Sequence, residues 1–356
     1  MWKAVAVAAV VAFASFGCAG GSRNADTRRA NAPCPSAALV SARSGEVLRV
    51  FGAGALPGTY AVADGRGGWF VAGTGGVVRL RGDGHVDRGW HAELPRPLLP
   101  LWAVARSGAR VYVTDRFRVI ALDAATGGRL WSSQRVDAAG YGYRNGITAL
   151  SATRMAVFAG GQFGRVGGVR RTALAALDAR SGRVLQWPMP PLRYPHATTY
   201  ATVLTAAGGR LYVGGNFGYV GRTPRPGIAA VSLRNGRLLP FAPSSVERIA
   251  SIAVSGPTVF IGGTFTGGAF DAVTGRPLPW SRRVSGAGAL TVGGSTLFLG
   301  GDLRSRIGAH NLEAIDIATG RPRAWAPKLA RYVSVGTLAV SGGKIFVGGS
   351  FCSTIG

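Results

Sequence analysis

The sequence is poor in acidic residues, lysine and cysteine. It has 15 Asp and Glu against 41 Lys and Arg, a formal net charge of +26, and only three cysteines. Charged residues make up 16% of the chain and apolar residues 47%, which excludes a disordered polyelectrolyte and a Lys/Glu-rich helical protein. Glycine is abundant instead, with 56 residues, about twice its usual share. This composition favours an all-β fold.

Motifs for metal, phosphate or acyl-transfer chemistry are also missing. The histidines are scattered without the spacing of metal ligands, and no Gly-x-Ser-x-Gly elbow occurs. The string Gly286-Ala287-Gly288 lacks the strand, loop and helix setting of a phosphate cradle. We therefore predict no metal site and no catalytic residue. The histidines are His85, His91, His196 and His310.

The N-terminus reads as an export signal. Lys3 is followed by uncharged residues from Ala4 to Phe16, which is shorter than the about 20 residues that a transmembrane helix needs. Gly17 before Cys18 and the small residues after it suit a lipoprotein signal, so we predict a signal peptide over 1–18, lipidation at Cys18 and a flexible tether over 19–34. The alternative is ordinary cleavage after Ala19. Both place the protein outside the cytoplasm, as a membrane-anchored lipoprotein or an extracellular protein.

A repeated unit fills the rest of the chain. An aromatic residue followed by an apolar residue and Gly or Thr recurs seven times, with spacings between 38 and 54 residues. Such a period with four short β segments per unit is typical of β-propeller blades. The sequence thus predicts one domain over 35–356. The repeated segments are Phe70–Gly73, Tyr112–Thr114, Phe158–Gly160, Tyr212–Gly214, Phe260–Gly262, Phe298–Gly300 and Phe346–Gly348.

The second half of the unit carries Asp, a turn glycine and an aromatic residue. The Asp carboxylate can accept bonds from turn N–H groups, and glycine supplies the positive φ of the turn. We predict that the aromatic residue packs between adjacent blades. The predicted docking residues are Asp123, Gly127 and Trp131; Asp178, Gly182 and Trp187; Asp271, Gly275 and Trp280; and Asp316, Gly320 and Trp325.

The last unit is incomplete, because the chain stops just after the seventh second strand. Residues 37–48 match Leu174 to Leu185 in position, including the string Ala-Arg-Ser-Gly. We therefore predict a seven-bladed β-propeller of four-stranded blades, closed by N-terminal strands at 36–51 that complete the last blade. Cys34 and Cys352 then belong to the same loop, and we predict a disulfide between them. Two free thiols are the alternative.

At these residues the sequence resembles the pyrroloquinoline quinone (PQQ)-like repeats of quinoprotein alcohol dehydrogenase-like β-propellers, of the exported bacterial lipoprotein type. It is also similar to propellers with Gly-Gly-x-Phe repeats. In the quinoproteins the element Ala-x-Asp-x-x-x-Gly-x-x-x-Trp docks neighbouring blades, and the stretch from Ala121 to Trp131 fits it. The dehydrogenases also use adjacent cysteines and a Ca²⁺ site. No Cys-Cys pair occurs here, so we predict neither PQQ nor Ca²⁺ as a cofactor.

The long crossovers between blades hold the candidate ligand-binding residues. Aromatic residues and arginines on irregular loops over a rigid scaffold are typical of binding sites; the alternative is that these loops only cover the central channel. The candidates are Trp90, His91, Arg135, Asp137, Tyr141, Tyr143, Arg144, Arg193, Tyr194, His196, Glu247, Arg248, Arg283, Arg331 and Tyr332.

The opposite face, which carries the hairpin turns, is rich in arginine. Repetition would arrange these side chains in a ring that attracts anionic polymers or lipid headgroups. The alternative is a coding bias, since the chain has 38 Arg and 3 Lys. Nucleic acid is not an expected partner, because no recognition motif accompanies the arginines.

The sequence therefore predicts a monomeric, non-catalytic binding or scaffold protein at the cell envelope. Its ligand would be an envelope protein or an anionic polysaccharide, bound by the crossover face. One alternative is an enzyme, either quinoprotein-like or carbohydrate-active with Asp137 and Glu247 as its acids. Another is an envelope assembly factor that recognises partner strands or peptides.

Overall fold

The computed structural model describes residues 9–10, 36–56, 58–96, 100–137, 145–243, 248–263, 267–301, 311–329 and 333–351. Within these ranges the chain is almost entirely β-structure, and the one helical element is a 3-10 turn at Ser281–Val284. No helix in this part of the chain is long and apolar enough to span a membrane. The all-β prediction is confirmed.

The strands are short and separated by tight turns. In chain order they are β1 Ala9–Val10, β2 Ala37–Ser41, β3 Val47–Phe51, β4 Tyr60–Ala63, β5 Trp69–Gly73, β6 Gly76–Leu80, β7 Ala103–Ser107, β8 Arg110–Thr114, β9 Val119–Asp123, β10 Arg129–Ser132, β11 Val136–Asp137, β12 Gly146–Ala152, β13 Ala156–Gln162, β14 Arg165–Val166, β15 Val169–Arg170, β16 Leu174–Asp178, β17 Leu192–Arg193, β18 Tyr200–Ala207, β19 Arg210–Asn216, β20 Tyr219–Val220, β21 Thr223–Pro224, β22 Ile228–Ser232, β23 Ile249–Ser255, β24 Thr258–Gly263, β25 Gly268–Asp271, β26 Ala287–Gly293, β27 Thr296–Gly301, β28 Leu312–Asp316, β29 Val333–Ser341 and β30 Lys344–Phe351.

The described strands form seven principal antiparallel sheets and two small ones. In each principal sheet neighbouring strands are antiparallel. Sheets 1 to 7 consist of β4–β6, β7–β10, β12 with β13 and β16, β18 with β19 and β22, β23–β25 with β1 paired to β23, β26–β28, and β29–β30–β2–β3.

A complete fourth strand is present in sheets 2 and 7, whereas in the other five sheets the fourth segment forms a single bridge to the third strand. The prediction of four-stranded blades is therefore wrong for those five sheets. Prolines contribute to the difference, because Pro277 and Pro322 stand at the bridging positions of sheets 5 and 6. A proline has no N–H to donate to a ladder, so it limits pairing at a sheet edge.

The last described strand of the chain, β30, pairs with the early strand β2 in sheet 7. Strand β2 pairs with β30 in a register that places Leu39 opposite Phe346 and Ser41 opposite Lys344. The sequence alignment predicted this pairing. Cys34 and Cys352 lie outside the described residues, as do the segments 1–8 and 11–35, so the disulfide, the lipidation at Cys18 and the tether stay predictions.

The core is divided among the junctions between sheets. One cluster of buried apolar side chains lies at each junction, including the junction of sheet 7 with sheet 1, where Leu39, Phe346 and Trp69 are fully buried. There the indole Nε1 of Trp69 donates a hydrogen bond to the carbonyl of Ala339 at 2.8 Å. The first strands of successive sheets also contact one another, from β4 through β29 and back to β4. Strand β1 pairs with β23 and contacts most of these first strands.

Each principal sheet contains an aromatic pair that joins its second strand to its last segment. The rings lie 4.9–6.5 Å apart and pack mostly tilted or edge to face, the geometry that aromatic pairs prefer. The seven pairs are Phe70–Trp90, Tyr112–Trp131, Phe158–Trp187, Tyr212–Phe241, Phe260–Trp280, Phe298–Trp325 and Phe346–Phe51.

Turn glycines bring each sheet close to the previous one. Gly182 of sheet 3 has φ +70°, and a methyl group there would lie 2.5 Å from Cε3 of the Trp131 ring of sheet 2. The Trp131 indole also donates to the carbonyl of Ala179 at 3.2 Å. The ring of Trp280 lies against Gly320 in the same way. A side chain at these positions would prevent the close approach, so glycine is required both for the turn and for the packing.

The repeated aspartates organise the turns that contain these glycines. Oδ1 of Asp271 accepts hydrogen bonds from the backbone N–H of Thr274 at 2.7 Å and from its hydroxyl at 2.7 Å. Asp123, Asp178 and Asp316 accept equivalent bonds. Hydrogen bonds to the charged form hold the pKa of each of these carboxyls below its ordinary value. These four acids therefore have structural partners.

Candidate binding face

The loops between second and third strands lie on the face that also carries the crossovers, which we call the crossover face. In sheets 3 and 4 this loop is a small β-hairpin, and each hairpin pairs with the preceding crossover. Hairpin sheet A consists of β11, β14 and β15, and hairpin sheet B of β17, β20 and β21. Hairpin sheets A and B therefore have the same strand arrangement in two consecutive principal sheets.

The local sequence explains why both hairpins form. The first begins Phe163-Gly-Arg-Val-Gly and the second Phe217-Gly-Tyr-Val-Gly. Phe163 and Phe217 are buried beneath the hairpins, with 3% and 1% of their surfaces exposed. In the first hairpin Gly167 and Gly168 both have positive φ, as a tight two-residue hairpin turn requires. The buried phenylalanine beneath each hairpin thus fixes the position of the hairpin on its principal sheet.

An arginine fastens each hairpin to its principal sheet. The Arg171 guanidinium donates to the carbonyls of Arg170 at 2.8 Å and Leu185 at 2.9 Å. Arg225 makes the equivalent bonds to the carbonyls of Pro224 and Leu239. Sequence reasoning did not select either residue. The signal was available, because each arginine follows its hairpin phenylalanine at the same offset.

A groove of about 740 Å³ separates hairpin sheet A from the crossover that forms β17. Its floor is apolar and at least half-buried, whereas Arg170, Arg193 and Tyr194 are exposed. Arg193 and Tyr194 belong to the residues that the sequence predicted for ligand binding. The lining residues are Arg170, Arg171, Thr172, Leu174, Ala176, Trp187, Met189, Pro190, Pro191, Leu192, Arg193, Tyr194, Pro195 and Thr199.

The other predicted ligand residues have varied surroundings. Trp90 is only 5% exposed and packs on Phe70, so the structure places it in the core, where a ligand cannot reach it. The guanidinium of Arg135 lies 4.6 Å from the ring centre of Phe117. His91, His196 and Arg248 are exposed. Seven predicted positions lie outside the described residues or have side chains outside them: Tyr141, Tyr143, Arg144, Glu247, Arg283, Arg331 and Tyr332.

The described acids on the crossover face are engaged with the backbone. Oδ1 of Asp115 accepts hydrogen bonds from the N–H groups of Phe117 and Arg118 at 3.0 and 2.8 Å. Oδ1 of Asp137 accepts from the N–H groups of Gly164 and Arg165. Asp137 therefore fixes hairpin sheet A, and the proposed acid pair with Glu247 falls partly outside the described residues.

The ion pairs among the described residues lie away from this face. Arg79 pairs with Asp64 at 2.9 Å in sheet 1, and Arg323 pairs with Asp316 at 2.6 Å beside the second turn of sheet 6. None of the ion pairs in this part of the chain involves Arg170 or Arg193. The described side chains also contain no group of three His, Cys, Asp or Glu residues that could hold a metal ion. Arg170 and Arg193 are therefore exposed on this face without an ion-pair partner among the described residues.

Solved structures resemble this fold at low sequence identity. The computationally designed Ika8 protein is 18% identical with a TM-score of 0.52, and the alignment covers 80% of this chain and 78% of that one. The Cps50 (Swd1) β-propeller domain of Myceliophteria thermophila is 14% identical with a TM-score of 0.52, covering 82% and 96%. BamB from Moraxella catarrhalis is 17% identical with a TM-score of 0.48, covering 88% and 91%.

A comparison with curated proteins gives no significant match. A protein family matches residues 38–326, which is most of the chain. The matched segment includes strands of all seven principal sheets and both hairpin sheets. The chain belongs to the PQQ-like β-propeller family described as "Outer membrane protein assembly factor BamB".

Proposed function

We propose that this protein is a closed seven-bladed β-propeller that binds envelope proteins through its crossover face, as a non-catalytic assembly factor or scaffold. Three features of the described residues support the closed ring. Sheet 7 contains strands from both ends of the chain, apolar clusters lie at all seven junctions, and the first strands contact one another in a cycle. Closure removes the open sheet edges that favour aggregation.

The observation that carries the binding function is the pair of hairpin sheets with the groove beside them. Principal sheets alone would suffice for a stable propeller, yet sheets 3 and 4 each add an ordered hairpin held by a buried phenylalanine and a bonded arginine. Rigid loops of this kind present binding groups with little loss of entropy. The family description, which names an outer membrane assembly factor, supports an envelope protein as the partner.

The proposal includes no catalytic residue and no cofactor. The repeated aspartates are used in turns, and Asp137 accepts hydrogen bonds from the hairpin backbone. A carboxylate that holds a turn or a hairpin in this way already has a structural role. We further propose that Cys18 carries a lipid that tethers the propeller to a membrane.

Paired charge-reversal variants test which face binds. In the crossover-face variant Arg193, Arg222 and Arg282 are changed to Glu, and in the matched control Arg183, Arg237 and Arg276 of the hairpin turns are changed to Glu. All six side chains belong to exposed residues. Tagged proteins are recovered from envelope extracts, and co-purified proteins are quantified by mass spectrometry.

We expect the crossover-face variant to lose its envelope partners while the control retains them. Both variants should keep the circular dichroism spectrum and the melting temperature of the wild type within a few degrees, because exposed substitutions have small effects on stability. Equal recovery of the same partners by wild type and crossover-face variant would overturn the proposed face.

A further inference from the structure

We infer that the groove beside hairpin sheet A binds an extended peptide segment with acidic side chains, such as a loop or terminus of an envelope protein. This inference rests on the proposed binding face and specifies the chemistry of its ligand. Three properties of the groove support it: its charge, its apolar floor and the kind of polar groups that line it.

The charge of the groove favours an anionic ligand. Arg170 and Arg193 are exposed on its two sides, and no described carboxylate pairs with either guanidinium. The lining contains no Asp or Glu. Two unpaired guanidinium groups can each bind a carboxylate with two parallel hydrogen bonds. An acidic segment would therefore compensate two charges that no described carboxylate compensates.

The floor of the groove suits apolar side chains. Leu174 and Ala176 are buried at its base, and Met189 and Trp187 are half-buried beside them. Methionine and aromatic side chains adapt to varied apolar groups. Tyr194 is 42% exposed at the rim, where it adds contact area at a low entropic cost. A ligand with apolar residues between its acids fits this arrangement.

Trp187 has a different role from the other docking tryptophans. The turn glycine of sheet 4, Gly236, lies against the backbone of Pro188 and Met189, not against the tryptophan ring. The Trp187 ring instead lines the groove. Its buried indole N–H also has no hydrogen-bond partner among the described residues, whereas the indole of Trp131 donates to Ala179. The change of position gives the groove an aromatic wall.

The polar groups of the lining favour a peptide over a glycan. Sugars present many hydroxyl groups, and a site for them needs a set of side-chain donors and acceptors to match. The side chains of this groove include no Asn, Gln, Asp or Glu, and its hydroxyls come from Thr172, Tyr194 and Thr199. The wall from Pro188 to Pro195 contains four prolines. Prolines stiffen the wall before a ligand arrives, which lowers the entropic cost of binding.

Fluorescence anisotropy with purified full-length protein tests the inference. The probe is a fluorescein-labelled 10-residue peptide that alternates Glu or Asp with Leu, Pro and Phe, and the control peptide replaces each acid by its amide. Labelled oligogalacturonate is the anionic glycan probe. The variants are R170E/R193E and Tyr194→Ala in the groove, and R183E/R237E on the hairpin face as a control with the same change in charge.

We expect the acidic peptide to bind and R170E/R193E to weaken binding at least about tenfold, with little effect from R183E/R237E. Raising salt from about 0.1 M to about 1 M, which shortens the Debye length from about 10 Å to about 3 Å, should also weaken it. Tyr194→Ala should weaken binding without changing its salt dependence, since it removes the ring and its hydroxyl but no charge.

Three outcomes would overturn the inference: equal binding of the acidic and amide peptides, equal loss in groove and hairpin-face variants, or tighter binding of the glycan than of the peptide. The envelope pull-down distinguishes this failure from failure of the proposed function. If envelope proteins still bind the crossover face while the groove variant R170E/R193E leaves them unaffected, the face is right and the groove assignment is wrong.

Discussion

The close approach of Trp131 to Gly182 gives a sharp test of how neighbouring sheets are held together. A methyl group at Gly182 would lie 2.5 Å from the indole ring, and the backbone φ there is +70°. Gly209 provides a matched control, because its φ is +75° and nothing lies within 4 Å of an added methyl group. Both substitutions to Ala incur the same backbone strain, and only Gly182→Ala adds the clash.

The expected losses follow from these two contributions. A left-handed conformation costs a non-glycine residue about 1–2 kcal/mol, which should be the whole effect of Gly209→Ala on the free energy of unfolding. Overpacking adds about 1–3 kcal/mol, so Gly182→Ala should lose that much more. Urea denaturation followed by tryptophan fluorescence measures both values.

A double-mutant cycle then identifies the indole ring as the cause. In a Trp131→Ala background the methyl group at Gly182 has no ring to meet, so the cost of Gly182→Ala should fall to that of Gly209→Ala. Equal losses for the two glycine variants in the wild-type background, within about 0.5 kcal/mol, would refute this account of packing between sheets.

Three further predictions concern ionisation and the chain ends. The side-chain hydrogen bond from Arg323 and the bonds from Thr319 lower the pKa of Asp316 from 3.8 to about 2. The stability that this shift contributes is present above the ordinary pKa of 3.8 and is lost as the pH falls through about 2. Asp316→Asn should therefore flatten the acid side of the curve of stability against pH. Burial raises the pKa of Tyr112 to about 12. The stability that this shift contributes is present at neutral pH and is lost as the pH rises through about 12. Tyr112→Phe should therefore reduce the loss of stability at alkaline pH. In the exported protein, mass spectrometry of a non-reduced digest should show a peptide linking Cys34 to Cys352, and free thiols at both positions would remove the predicted disulfide.

The fold was predictable because its strongest signals are local and repeated. The second strands combine an aromatic residue, apolar residues and glycine in the same order, and the aspartate turns have a fixed spacing. The pairing of β2 with β30 was visible because residues 37–48 match the second half of a unit, the half that the last unit lacks. The extent of the fourth strands was not visible, since the fourth segment shortens to a single bridge in five sheets and only two of these bridges involve a proline.

The binding face was less predictable than the fold. Trp90 was assigned to a ligand loop because it stands at the start of a long crossover, although it packs on Phe70 as the other tryptophans pack on their partners. The hairpins were missed because their strands are two residues long, too short for a pattern of alternation to be recognised. Arg193 and Tyr194, which line the groove, were selected because they stand on a long proline-rich crossover.

An engineered cysteine pair tests most directly whether the ends of the chain meet in one sheet. With the native cysteines replaced by Ser, Ser41→Cys is combined with Lys344→Cys, its register partner, or with Met155→Cys as a control, which is 76% exposed in the first turn of sheet 3. Cross-strand partners lie close enough for a disulfide after small adjustment, with Cβ atoms about 4.5–5.5 Å apart. The account predicts that the thiols introduced by Ser41→Cys and Lys344→Cys form an intramolecular disulfide, seen as faster migration on a non-reducing gel, and that those introduced by Ser41→Cys and Met155→Cys do not. Absence of the bond in folded Ser41→Cys/Lys344→Cys protein would contradict the closed ring.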